Sequence, residues 1–152
     1  MDYKELYILN LSVRERLLRF LKTVPFEKLT AESNLGYSSA RNMLAHIQET
    51  EDWWVKGVLK NEPYQDYNFS DFNSIEDFRK TWETLQKQTL DYVEANQNIL
   101  KDRVTRNLKG KTYEFQIQKV LMHVLTHEFH HRGQICLLLR QPGFTPPDVD
   151  LI

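Results

Sequence analysis

Five glycines and five prolines are the only strong helix breakers in 152 residues, and they cluster between long stretches of helical periodicity. That pattern leaves room for few, long helices. Leu6, Leu9, Val13, Leu17, Phe20, Leu21 and Val24 recur at three- and four-residue steps. They predict a first helix from about Tyr3 to Val24, ended by Pro25. A second runs from a cap at Ser38 or Ser39 to about Lys60, marked by Met43, Leu44, Ile47, Trp54, Val55 and Val58. Ser74 followed by Asp77 resembles an acidic capping box for a third, carrying Phe78, Trp82, Leu85 and Val93 to about Asn96. A fourth begins near Phe115 or Gln116 and continues to Arg140, stopped by Pro142-Gly143. Between the third and fourth, residues Arg103 to Phe115 alternate around Lys109-Gly110, as a short hairpin or extended crossover does. The Asn61–Asn73 connection is long and aromatic, suited either to walling a pocket or to packing on the helices. The expected architecture is one all-α domain over residues 1–152. It is a four-helix bundle with long crossover connections and a hairpin-like segment before the last helix.

Composition narrows the function. Apolar residues make up 41% of the chain and charged residues 27%, and the net charge is −1 with the signs intermixed. No field of one sign draws in nucleic acid or an anionic membrane. Arg14, Arg16, Arg19 and Lys22 form the densest basic cluster, which we expect to be a solvated helix face. No apolar run approaches about eighteen residues, and the opening Met-Asp-Tyr-Lys-Glu lacks a signal-peptide shape. The single cysteine, Cys136, cannot form an internal disulfide. These features fit the cytoplasm. Cys136 lies among Ile135, Leu137, Leu138 and Leu139, away from the histidines on the helical wheel, and reads as a buried apolar filler.

Four of the five histidines fall within nine residues of the last helix: His123, His127, His130 and His131. At about 100° per residue they occupy one arc of about 100°, and the pairs 123/127 and 127/131 are one turn apart. Two imidazoles so spaced can converge on one cation. Four buried imidazoles would otherwise each need a polar partner. His46, mid-way along the second helix, can face them across a bundle. A triad of His46 with either pair gives three nitrogen ligands and leaves a coordination position open, as catalytic metal sites do. Spacing alone leaves both pairs standing. His130 reads as a flanking residue or a partner to a ligand.

Two other metal motifs compete. His127-Glu128-Phe129-His130-His131 spells H-E-x-x-H, the zincin protease signature. Its extension fails, because Gln134 and Leu137 occupy the positions of the required glycine and third histidine. Nor is there a glutamate among the twenty-one residues after His131. Glu128-Phe129-His130-His131 also matches the Glu-x-x-His of di-iron proteins, but no second copy accompanies it.

Asn42-Met-Leu-Ala-His46-Ile with Trp53-Trp54, and Leu125-Thr-His127-Glu-Phe-His130-His131-Arg-Gly-Gln134-Ile, resemble the DinB/YfiT-like metal-binding four-helix bundles. The tail Leu139-Arg-Gln-Pro-Gly143-Phe-Thr-Pro-Pro-Asp148-Val-Asp150-Leu resembles that family's end, so the likeness spans essentially the whole chain. The resemblance implies that His46, His127 and His131 hold one divalent cation, nickel or zinc being usual. It implies frequent homodimers, and it gives His123 no ligand role. Similar proteins include thiol-dependent transferases and a metal-dependent isomerase, while many have no established reaction.

Three neutral imidazoles would leave the cation Lewis-acidic enough to activate a thiol or water toward a small electrophile. Small-molecule chemistry, with a low-molecular-weight thiol as a substrate, is therefore expected of the site. His123, Glu49, Glu128 and His130 are the candidates to orient ligands or move protons, and the sequence names no catalytic residue. Exposed helix shoulders are the plainer account of Glu49 and Glu128. Arg132 and Gln134 can hold the last helix's geometry, and Trp53 and Trp54 read as packing residues of the bundle or a dimer face. The alternative class is a non-catalytic, metal-stabilised binding module.

Overall fold

The computed structural model describes residues 2–34 and 36–151. Helix α1 spans Tyr3–Leu21 and opens on a reciprocal capping box, in which Asp2 accepts from the Glu5 amide and Glu5 accepts from that of Asp2. It ends three residues before Val24, where Thr23 and Val24 bond back to Phe20 and Leu21 in tighter turns. Pro25 starts a short helix, α2 (Phe26–Thr30), whose Leu29 is buried. The periodicity gave no sign of this piece, because a single turn shows no repeat.

The expected second helix divides in two. Helix α3 (Ala40–Asp52) is capped by Ser39, whose hydroxyl accepts from the Asn42 amide. It continues without a break into a π-helical segment, Trp53–Leu59. There Gly57 gives room for Trp53, since a Cβ on that glycine would sit 2.8 Å from Trp53 Cε3. A connection containing a 3₁₀ turn at Phe69–Asp71 leads to α4 (Ile75–Ala95), capped by Ser74. Another 3₁₀ turn (Gln97–Ile99) precedes the antiparallel strands β1 (Arg103–Leu108) and β2 (Lys111–Gln116). The pairing Leu108↔Lys111 leaves Lys109 and Gly110 as a two-residue turn, both at positive φ. Arg106 of β1 donates to the carbonyls of Val58 and Leu59, answering acceptors freed at the end of the π-helical segment. Helix α5 (Ile117–Arg140) follows β2 directly, and Gly143, at φ +95°, turns the chain beyond it.

The core fixes the helix directions. One apolar cluster holds Leu17 and Leu21 of α1, Met43 and Leu44 of α3, Phe78 and Trp82 of α4, and Ile135 and Leu139 of α5. The other holds Tyr3 and Tyr7 of α1, Leu59, Val93 of α4, and Ile117 and Leu121 of α5. Helices α1 and α5 thus run from the second cluster to the first, while α3 and α4 run the opposite way. Two successive helices with the same direction need a long return, and residues 60–74 supply it.

Between the clusters lies a polar layer. Glu128 of α5 accepts from Arg14 Nε (2.9 Å), Arg14 Nη2 (2.6 Å) and Asn10 Nδ2 (2.6 Å). Glu51 of α3 accepts from Arg14 (3.2 Å), Thr89 (2.8 Å) and the Tyr7 hydroxyl. Arg132 Nη1 reaches Glu128 at 3.5 Å and lies over the Phe129 ring. Arg14, Glu51, Glu128 and Arg132 are all at most 4% exposed. Arg14 is therefore no part of a solvated face. Its guanidinium sits over the Trp82 ring and holds the Glu128 carboxyl below the usual range, against the effect of burial.

Candidate metal centre

Helix α3 brings His46 and α5 brings His127 and His131 to one point, at the level where these two antiparallel helices pack. His127 Nε2 lies 3.0 Å from His46 Nε2 and 3.1 Å from His131 Nε2. One ring nitrogen from each of the three falls within 4.8 Å of the others. Lone pairs aimed at each other at such distances repel unless a proton or a cation stands between them. Two nitrogens sharing a cation at about 2.0–2.1 Å, the usual zinc–nitrogen length, lie about 2.8–3.4 Å apart for angles between right and tetrahedral. Both short edges of the triangle fit that range.

The environment keeps these imidazoles neutral. Burial, with His131 nearby, lowers His46 to about 4. Burial and the neighbouring histidines lower His127 to about 3. His131 is also lowered, mainly by burial, although its bond to Gln134 opposes the shift. Near neutral pH all three offer lone pairs without first losing a proton.

The surroundings are uneven. Tyr37, in the turn before α3, stacks on His46 with ring centres 3.8 Å apart and meets His131 edge-on at 5.9 Å. Gly36 and Ser38 on either side of it have φ +49° and +64°, so a tight left-handed turn presents the ring. On another side His46 and His127 open into a cleft of about 840 Å³. Trp53, Trp54 and Tyr64 give it aromatic walls, while Glu49, Asp66, Lys109 and His123 supply its polar edge.

The other sequence candidates take separate places. Glu49 Oε2 is 3.8 Å from His46 Nδ1, and its other oxygen accepts from the Tyr67 amide at 3.0 Å. His123 lies beside the centre, its ring 5.5 Å from that of His127 and 5.4 Å from Trp54. His130 is exposed and bonded to Gln134. Glu128, expected to orient the grouped histidines or move protons beside them, points away from them. It follows His127 by one residue, about 100° around the helix, and Arg14 and Asn10 claim both its oxygens in the core. The same geometry removes the glutamate that an H-E-x-x-H protease would need at its metal. Cys136 is buried and its thiol is pushed up by burial, as suits a packed filler. Trp53 and Trp54 face the cleft as well as neighbouring side chains, with Trp54 edge-on to Phe115. The aromatic connection divides its work, since Tyr64 walls the cleft and Phe72 stacks on Phe78 in the core.

Sequence reasoning missed Tyr37 and the Arg14–Glu51–Glu128 layer. An aromatic residue just before a helix cap is the faint signal for the first. For the second, Asn10, Arg14 and Glu51 interrupt the apolar stripes of α1 and α3 where each crosses the molecule's middle.

A mostly helical chain with a hairpin before its last helix, and three histidines grouped so that they could hold a metal ion, defines the class of this protein. The chain belongs to the DinB family, whose profile matches residues 1–152. It is similar to the protein DinB of Bacillus subtilis (strain 168), at 21% identity over 154 residues covering 96% of this chain and 89% of that protein. It is also similar to the uncharacterized protein YizA of the same organism, at 20% identity over 143 residues, covering 94% of this chain and 89% of that one. A crystal structure of a DinB-like protein from Bacillus cereus ATCC 10987 superposes with a TM-score of 0.69 at 18% identity, covering 97% of this chain and 95% of that chain. That likeness concerns the fold.

Proposed function

We propose that His46, His127 and His131 hold one divalent cation, nickel or zinc, and that the protein is an enzyme joining a small thiol, or water, to a small electrophile. The observation that carries this reading is the meeting of three imidazole nitrogens, two of whose rings line an open cleft. A cation held only by neutral donors keeps its full charge and lowers the pKa of a thiol or water brought to it. The chain's own part is to shape and dry the approach. Trp53, Trp54 and Tyr64 give apolar surface to the body of a small substrate. Glu49 lines the cleft beside His46, with Oε2 3.8 Å from His46 Nδ1, where it can orient the imidazole or take up the thiol's proton. Tyr37 covers His46 on its other face and so directs access to the cleft side.

The four long helices are proposed to form a bundle, consistent with their opposed directions. A second copy of the chain is the proposed partner for apolar residues left exposed on α1 and α5, namely Ile8, Leu9, Met122 and Leu137. The lone buried thiol suits the cytoplasm. No helix among the described residues is long and apolar enough to cross a membrane.

The test is conjugation of a chromogenic chloronitroarene to a panel of small thiols, with and without added nickel or zinc. In the expected reaction a carbon–sulfur bond forms, chloride leaves with its electron pair, and the thiol proton passes to base. Metal-dependent turnover with at least one thiol, lost in His127→Ala, is the predicted result. Metal uptake without turnover on any thiol, or on an activated ester with water as nucleophile, would favour a non-catalytic binding module.

A further inference from the structure

His131 differs from the other two histidines in having its outward nitrogen firmly held. Its Nδ1 lies 2.7 Å from Gln134 Oε1, and Gln134 Nε2 lies 3.0 Å from His130 Nε2. The spacing explains the contact, because residues three and four apart share one face of α5. An amide oxygen can only accept, so this bond requires the hydrogen of neutral His131 to sit on Nδ1. Its Nε2 is then a bare lone pair, and Nε2 is the atom that meets His127 Nε2. A reversed amide would present its NH₂ to Nδ1, move the imidazole hydrogen to Nε2 and block the meeting point. As placed, the Gln134 amide turns its oxygen to His131 and its nitrogen to His130 Nε2, which accepts from it in the tautomer of His130 that carries its hydrogen on Nδ1. The turn before α3 closes over the same amide, with Gly36 so near that a Cβ there would sit 3.6 Å from Gln134 Oε1. His46 has no such hold, for its buried Nδ1 finds no hydrogen-bond partner among the described residues.

We infer that Gln134 is a positioning residue that sets the tautomer and ring orientation of His131 in advance of metal binding. The inference rests on the tri-histidine reading for its purpose, but the tautomer is a property of the metal-free protein. Long-range proton–nitrogen correlation spectra of nitrogen-labelled, metal-free protein at about pH 7.5 report it directly. Wild type is expected to show His131 with its hydrogen on Nδ1, and Gln134→Leu to lose that preference while keeping the helical circular dichroism of wild type. Zinc affinity, measured by competition with a chromogenic chelator, should fall about 10–100-fold in Gln134→Leu. It should recover in Gln134→Glu, whose carboxylate accepts the same bond. His131 carrying its hydrogen on Nε2 in the wild type, or unchanged zinc affinity in Gln134→Leu, overturns the inference. Should Gln134→Leu not fold, the wild-type spectrum and Gln134→Glu decide it. Should the wild type take up no zinc, the metal reading fails, and the spectrum still decides the role of Gln134.

Discussion

The surroundings of His46, His127 and His131 disfavour the proton that would compete with a cation for their lone pairs. The same surroundings make them acid-sensitive. In the unfolded chain a histidine takes a proton near pH 6.5, whereas in the fold His46 and His127 resist it down to about 4 and about 3. Between about pH 6.5 and 4 the unfolded state therefore binds more protons, and stability falls as the pH falls. The urea midpoint of metal-free protein should be level above about pH 7 and drop steadily toward pH 4.5. A midpoint that is flat or rises on acidification through that range would contradict the depressed values. Glu128, whose pKa is also lowered, adds its own loss only below the ordinary 4.5 of a carboxyl, so the decline that begins near pH 6.5 belongs to the histidines.

Helices α1, α3, α4 and α5 meet through a charged layer as well as through apolar contact. Arg14 joins α1 to Glu51 of α3 and Glu128 of α5, and Thr89 brings in α4. Removing one partner leaves an uncompensated buried charge, a loss of about 3–5 kcal/mol, whereas apolar replacement of a whole buried pair is often close to neutral. Glu128→Ala should therefore destabilise by that amount in urea titration. Arg14→Met combined with Glu128→Leu should recover part of the loss, limited by Glu51, which would lose Arg14 but keep Tyr7 and Thr89, and by the buried Arg132, which would lose Glu128. A double variant no more stable than Glu128→Ala would show that the layer contributes more than charge compensation. The π-helical segment is the other feature at this scale. By departing from α-helical geometry at Trp53, with Gly57 clearing the ring's path, it helps set the tryptophans that wall the cleft.

Across the whole molecule, what the sequence disclosed depended on periodicity. The four long helices and the Lys109-Gly110 hairpin were legible because repeats of three and four residues, and alternation around a turn pair, are long-range patterns. The short α2 and the π-helical segment were not, since one turn carries no repeat and the buried Val55, Val58 and Leu59 still recur at three- and four-residue steps after Glu51. The grouping of His46 with His127 and His131 could be framed from wheel positions and resemblance, but which side chains turn toward them could not. Glu128 is adjacent to His127 in sequence yet faces the core, because Arg14 and Asn10 stand there. Tyr37 is distant from α5 in sequence yet reaches His131, because a left-handed turn aims it.

The central claim, that imidazoles of α3 and α5 jointly hold one ion, is tested most directly by metal stoichiometry. Protein purified without a polyhistidine tag, equilibrated with zinc or nickel and freed of excess, should carry about one ion per chain by elemental analysis. His46→Ala on one helix and His127→Ala on the other should each reduce that occupancy sharply while the helical circular dichroism is kept. Equal metal content in wild type and both variants would contradict the account.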